Sequence, residues 1–299
     1  MIYHRIPVTP PKNFSLADHG LAGKKVGFDD LRVWLWVQRD KRFAGYAPLD
    51  AVDAMVRARS VKSPQELEAV RRTGPKADAA IQYAASLVQP GLRWTDLTLS
   101  VAAFMASQGI TPVDEGTMLF GGAFAGEFIP ELFRTRHARP LETGQIVILE
   151  TLGKTDGFWI DINRTAVIGP PTEAYQQLHD TVRDCYLTLL ESVKPGFHTG
   201  RLGQMGHDFM RARGIAAPEK MLVFAHGVGL MPVESPVAAP SMGTAGALGF
   251  TLEENMVVSV DCLFFGARHG PCHMENVFIV SREGAESIYQ TSLELLGSR

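Results

Sequence analysis

The sequence predicts an α+β fold of two pseudo-symmetric halves, each running helix, helix and then antiparallel strands, and three observations carry that prediction. The first is an internal repeat. Val88-Gln89-Pro90-Gly91 through Gly109-Ile110 lies without a gap, at one constant offset, over Val193-Lys194-Pro195-Gly196 through Gly214-Ile215. Leu97, Phe104 and Met105 of the first copy fall on Leu202, Phe209 and Met210 of the second, so apolar positions match as well as turn residues. A repeat this long is half a domain, beyond the short units of solenoids. The second observation is that each copy leads into apolar, strand-like runs that contain carboxylates: Glu150 and Asp161 in the first half, Asp261 and Glu275 in the second. The third is energetic. Acids in β-branched and aromatic runs are costly to bury unless they are paired or bind metal, and a pseudo-dyad would bring the four together.

The elements follow in order. Residues 1–60 hold a short strand candidate at Lys24–Phe28, an apolar segment at Leu31–Val37 and a short amphipathic helix at Asp50–Arg59. They make too little core for an independent domain. The expected division is an N-terminal region, 1–60, and a main domain, 61–299, with halves of about 61–168 and 169–290. Ser63-Pro64-Gln65-Glu66 is a strong helix start, with a Ser cap, Pro in the first turn and Glu three residues after the cap. That helix should run to Leu87 and stop at Pro90-Gly91. Thr95 is expected to cap a second helix ending near Gly109. Asp156-Gly157 is a turn signal for the hairpin that holds Glu150 and Asp161. Helices over Thr172–Val193 and Thr199–Arg213 should open the second half.

Length and composition set outer bounds. The chain has 299 residues and 45% hydrophobic content, enough for a substantial core. A net charge of -3 without a basic cluster argues against nucleic acid or an anionic membrane as partner. No run approaches the length of a membrane span, and Met1–Pro7 lacks the apolar core of a signal peptide. A soluble, cytoplasmic protein is expected. Three cysteines, Cys185, Cys262 and Cys272, make no disulfide framework. Cys262 and Cys272 flank the second acid pair, which leaves a thiolate ligand open beside the reading as small buried residues. Gly121–Gly126 lacks the Gly-Lys-Ser/Thr ending of a phosphate loop, Gly243–Gly249 lacks dinucleotide-loop spacing, and there is no Gly-x-Ser-x-Gly elbow.

Between the second helix pair and Asp261 lies His226, in Phe224-Ala225-His226-Gly227-Val228-Gly229-Leu230. One imidazole with four carboxylates is a sensible donor set for two divalent cations. His269 and His273 stand just before Glu275, and strand alternation puts His273 on the same face as Glu275.

At these residues the chain resembles the pita-bread metallohydrolases, which include methionine aminopeptidase, Xaa-Pro aminopeptidase, prolidase and the non-peptidase creatinase. Gly157-Phe158-Trp159-Ile160-Asp161-Ile162-Asn163-Arg164-Thr165 is similar to the family's Gly-Tyr-x-x-Asp-x-x-Arg-Thr signature. Arg59–Glu66 resembles the lead-in to its catalytic domain, and His226-Gly227-Val228-Gly229 followed by Glu234-Ser235-Pro236 resembles its His-Gly-Ile-Gly and Glu-x-Pro elements. The resemblance implies a pita-bread fold around a curved, mainly antiparallel sheet. It places metal ligands at Glu150, Asp161, His226, Asp261 and Glu275. Asp161 and Glu275 would bridge two ions (manganese, iron, cobalt or zinc), with His226 and Asp261 on one and Glu150 on the other. A metal-bound hydroxide would then attack the carbonyl of a peptide or small amide, with Asp261, His273 and Glu234 as candidate catalytic groups. A homodimer is implied as well.

The chain departs from the family at identifiable places. Glu150 stands where the family usually has Asp, and Asp261 where it has Glu. Val233 occupies the place of a substrate-binding histidine directly before the Glu of Glu-x-Pro, and the histidine expected near Glu131-Leu132-Phe133 is missing, with His137 a little further on. Val233, His269 and His137 are therefore the candidate substrate-binding positions. Three functions stay open: a hydrolase of a peptide or small amide related to Xaa-Pro aminopeptidase and prolidase; a non-peptidase enzyme, a creatinase-like carbon–nitrogen hydrolase or a lyase of a small metabolite; and a catalytically inactive binding protein.

Overall fold

A computed structural model describes residues 20, 23–28, 47–112, 118–120, 140–238, 249–265 and 270–297. His137, His269, the Gly121–Gly126 stretch and Gly243–Leu248 lie outside the described residues. The chain divides into two compact units, Met1–Arg59 and Ser60–Arg299. In the first, strands β1 (Lys25–Phe28) and β2 (Ala47–Asp50) pair in parallel, and helix α1 (Val52–Ser60) starts where the Ala51 N–H donates to the Phe28 carbonyl.

The second unit holds the repeated halves. Helix α2 (Pro64–Leu87) begins in a full capping box: the Ser63 hydroxyl accepts from the Glu66 N–H while the Glu66 carboxylate accepts from the Ser63 N–H. Helix α3 (Trp94–Ser107) starts one residue before the expected cap. Arg93 is its N-cap, and Thr95 lies inside the first turn. The Arg93 guanidinium makes a bidentate pair with Asp96, which places the acid at the helix N-terminus and the cation just outside it. In the second half, α4 (Glu173–Leu190) is capped by the Thr172 hydroxyl, and a single 3₁₀ turn, Thr199–Arg201, precedes α5 (Leu202–Ala212).

The repeat read from the sequence is reproduced bond by bond. Gly91 and Gly196 both adopt positive φ, and their N–H groups donate to Leu141 and Leu252 respectively. Gly109 and Gly214 also have positive φ and end equivalent helices, and the following Ile110 and Ile215 donate to Met105 and Met210. These are left-handed positions that glycine occupies without steric cost.

Both halves contribute strands to one sheet. Its main path is β3 (Thr111–Pro112), β5 (Ile146–Thr155), β6 (Phe158–Val167), β10 (Cys272–Val280), β9 (Val257–Phe264), β7 (Met221–Gly227) and β8 (Glu234–Ala238). Three short strands join off this path: β4 (Met118–Phe120) on β5, β11 (Ala285–Ser287) on β10, and β12 (Leu296–Gly297), parallel, on β6. The sheet is otherwise antiparallel. Alternation divides its two faces. Residues such as Val147, Leu149, Ile160 and Ile162 join the core of α2 and α3, and Val258, Val260, Cys262 and Met274 join a second core with α4 and α5. The intervening positions 150, 161, 163, 259, 261, 273 and 275 are the polar ones. Cys262 and Cys272 both lie in that second core, out of step with Asp261 and His273, so they are buried apolar groups and not ligands.

A charged clamp fastens the C-terminal segment. Asp78 of α2 accepts hydrogen bonds from the Gln290 and Thr291 N–H groups and the Thr291 hydroxyl. Arg164 of β6, only 1% exposed, donates to the carbonyls of Thr291, Ser292, Asn163 and Glu275. Replacing this guanidinium strands several buried acceptors. Arg164→Met should therefore lower the unfolding free energy by about 3 kcal/mol, read as a shift in the urea midpoint; an unshifted midpoint would show that the clamp carries no stability.

Candidate metal centre

Strand register assembles the site. Glu150 pairs with Asn163, Asn163 with Glu275, Glu275 with Asp261, and Asp261 with Phe224, so one row runs across β5, β6, β10, β9 and β7. Paired residues point to the same face, which places Glu150, Glu275 and Asp261 side by side. Asp161 is two residues from Asn163, and His226 pairs with Ser259, two residues from Asp261. Both therefore reach the same face one pleat along. His273, two residues before Glu275, reaches it on the other side of the row.

The side chains converge. Asp161, His226 and Glu275 form one group whose ligand atoms all lie within 4.8 Å of one another, and Asp261, His273 and Glu275 form another. Glu275 belongs to both. His226 Nε2 is 3.4 Å from Asp261 Oδ2 and 3.8 Å from Glu275 Oε1. His273 Nε2 is 3.1 Å from Asp261 Oδ1 and 4.0 Å from Glu275 Oε2. All five side chains are buried. The Asp161 Oδ1 atom is buried without a hydrogen-bond partner, an orphan acceptor of the kind that a cation satisfies. These residues fit a divalent metal.

Supporting groups set the orientations. His226 Nδ1 is 3.2 Å from the Gly227 carbonyl, which leaves Nε2 to the acids. The Ser259 hydroxyl donates to Glu275 Oε1 at 2.6 Å, the Tyr289 hydroxyl accepts from the Asp161 N–H, and the Thr165 hydroxyl bonds both backbone groups of His273. Glu150 lies in neither group of three; its Oε2 accepts from Asn163 Nδ2 at 3.2 Å.

Glu234 belongs to neither group of three, and Val233 carries no donor atom on its side chain. Glu234 Oε1 pairs with buried Lys62 at 3.1 Å and its Oε2 accepts from the Leu230 N–H, so the carboxylate holds the loop after β7. A Cβ on Gly229 would collide with that carboxylate, which explains the glycine there. Trp159 fastens the same loop through bonds to the Gly229 and Leu230 carbonyls. Val233 is 55% exposed beside Leu230 and Met231, so the loop rim is apolar where the resemblance calls for an imidazole. Sequence reasoning missed Asn163 and Ser259 as site groups, although each is two residues from a named acid and alternation alone points to them. Tyr289 and Lys62 carried no such signal, being brought in by packing from outside the strands.

The electrostatics follow from burying so many acids together. Burial raises Asp161 to about 7, with His226 opposing and Asp261 adding to the shift. Burial and the neighbouring acids push Glu150 and Glu275 well above the ordinary carboxyl range. Burial also acts to raise Asp261, but its bonds to His226 and His273 win and hold it low. For His226, burial alone would lower the pKa, yet Asp261 and Asp161 raise it to about 9.

These shifts fix a direction for stability. Asp161, raised from 3.8 to about 7, costs increasing stability as pH climbs between those values. His226, raised from 6.5 to about 9, contributes fully below the lower value and loses its contribution as pH rises through the higher. Both trends run the same way, and buried His179, lowered to about 4, opposes them only below its ordinary value of 6.5. Chelator-treated protein should accordingly melt at a lower temperature at about pH 8.5 than at about pH 5.5, and added divalent metal should raise the melting temperature more at the higher pH. A metal-free protein that gained stability with pH over this window would contradict the assignment.

The chain matches Metallopeptidase family M24 over residues 68–282. It is 22% identical over 293 residues to the Xaa-Pro dipeptidase of Pyrococcus horikoshii, covering 97% of this chain and 80% of that protein. Among solved structures it superposes on the X-Pro aminopeptidase from Thermotoga maritima MSB8 with a TM-score of 0.78 at 17% identity, covering 94% of this chain and 77% of the other. On dipeptidase PepE from Mycobacterium ulcerans the TM-score is 0.70 at 21% identity, covering 85% of this chain but 65% of the other, so the chain spans about two thirds of that relative. At these identities the structures show the fold, and the match over more than half of the chain shows the family: this chain is a member of metallopeptidase family M24, built on the pita-bread fold.

Proposed function

We propose that the chain is a metal-dependent hydrolase acting on a short peptide or another small amide. The observation that carries this reading is Glu275, which is shared between two buried groups of donors. Bound there, two divalent ions would acidify a shared water and neutralise charge developing on a carbonyl oxygen. The mixed imidazole and carboxylate donors suit manganese, iron, cobalt or zinc better than copper. The chain's own residues supply positioning: Ser259 fixes one oxygen of Glu275, Tyr289 holds the Asp161 backbone, and Lys62 with Glu234 holds the loop that carries the apolar rim. Xaa-Pro dipeptides are the first substrates to test, since the named relatives include Xaa-Pro dipeptidases.

A second reading rests on Val233. An exposed aliphatic side chain donates no proton and makes no hydrogen bond to a substrate or its tetrahedral intermediate. That favours cleavage of a carbon–nitrogen or other bond in a small metabolite over ordinary peptidase chemistry. A homodimer belongs to this proposal too.

Protein loaded with manganese or zinc should release proline from at least one Xaa-Pro dipeptide, and Asp161→Asn should reduce that rate by at least about a hundredfold, an oxygen donor being lost from the centre. Metal-loaded protein inert on a broad Xaa-Pro and amide panel would leave the second reading. Val233→His should raise turnover of Xaa-Pro substrates if the missing imidazole is what limits them; an unchanged rate would assign the limit elsewhere.

A further inference from the structure

We infer that His273 is a metal ligand, and that the second ion of this centre lies at Asp261, His273 and Glu275 instead of at Glu150. The inference rests on the metal-dependent reading above and goes beyond it by relocating one ion.

Pseudo-symmetry gives the first argument. Gly144 donates to Ile168 and Ile168 to Gln145; Asn255 donates to Val280 and Val280 to Met256. These matched loops superpose Ile168 on Val280, and the row Glu150, Asn163, Glu275, Asp261 is then symmetric about its middle. Glu150 corresponds to Asp261 and Asn163 to Glu275. By the same count Asp161 corresponds to His273. The two central strands thus each present one donor two residues before the row, a carboxylate from β6 and an imidazole from β10.

Distances give the second. The two imidazoles face different oxygens of the same two acids: His226 faces Asp261 Oδ2 and Glu275 Oε1, and His273 faces Asp261 Oδ1 and Glu275 Oε2. Two carboxylates, each presenting a separate oxygen to each of two imidazoles, form a pair of poles with one nitrogen apiece. Glu150 is not part of either. One of its oxygens is engaged by Asn163, the residue that stands between it and Glu275 in the row. The backbone of His273 is fixed at both its N–H and its carbonyl by Thr165, and its imidazole Nε2 is 3.1 Å from Asp261 Oδ1.

The test is cobalt binding to the full chain, read by elemental mass spectrometry and by X-ray absorption at the cobalt edge. Wild type is expected to bind two cobalt ions, with about one imidazole per cobalt where a centre built on Glu150 would give about half. His273→Ala should bind one, and Glu150→Gln should still bind two; circular dichroism checks that each variant is folded. Should His273→Ala fail to fold, His273→Asn and the imidazole count of wild type decide the question. Loss of an ion from Glu150→Gln, or two ions retained by the His273 variants, overturns the inference while leaving the metal-dependent reading intact. Wild type that binds no cobalt, manganese or zinc overturns both.

Discussion

Four carboxylates buried on one face of a sheet are the constraint to which the rest of the molecule answers. Like charges about 4 Å apart repel by about 4 kcal/mol at the effective dielectric of a protein interior, and desolvation adds to that. The raised positions of Asp161, Glu150 and Glu275 and the imidazolium character of His226 are the metal-free chain's response: protons take up the charge that cannot be tolerated. A proton, however, satisfies one oxygen at a time, and Asp161 Oδ1 is left without a partner. A divalent cation neutralises two charges and accepts several oxygens at once, so the same arrangement that is costly when empty of charge compensation becomes a strong donor set.

The fold's contribution is to make that concentration geometrically unavoidable. The halves meet along β6 and β10, which pair at Asn163 and Glu275, and the hairpins β5–β6 and β9–β10 carry the outer acids to the same level. A shift of one residue in the register of either hairpin would turn the acid of the slipped strand into the apolar cores under the helices. Packing against α2 to α5 on the opposite face therefore selects the site as firmly as it selects the fold. The C-terminal segment adds a brace: Asp78 and Arg164 grip residues 290–292 by their backbone, which sets Tyr289 against the Asp161 N–H.

How much of this the sequence disclosed depends on the range of the interaction. The repeat was legible because its glycines are tied to positive φ and its helices to matched apolar positions, all local demands; the acids and His226 were legible because they interrupt apolar runs. Alternation correctly placed His273 beside Glu275. What alternation could not show is which carboxylate oxygen an imidazole meets, because that depends on side-chain reach across strands. Glu234 stood out through its motif, while the Lys62 that pairs with it lies more than a hundred residues away in the chain and could not be matched to it by spacing. The helix that Thr95 was expected to cap has Arg93 as its N-cap, paired with Asp96, and composition alone does not rank an ion pair against a side-chain cap.

The exchanged acids fit this geometry as a pair. Against the family pattern, Asp261 is one methylene shorter than expected and Glu150 one methylene longer. The shorter Asp261 meets an imidazole with each oxygen, His273 Nε2 at Oδ1 and His226 Nε2 at Oδ2. On the pseudo-symmetric side, the longer Glu150 reaches the amide of Asn163 and accepts from it. In the centre inferred above, the acid on β9 is shared with the imidazole from β10, and its counterpart on β5 rests in a hydrogen bond. The charge of the row is unchanged by the exchange, and each acid keeps its place on its own strand.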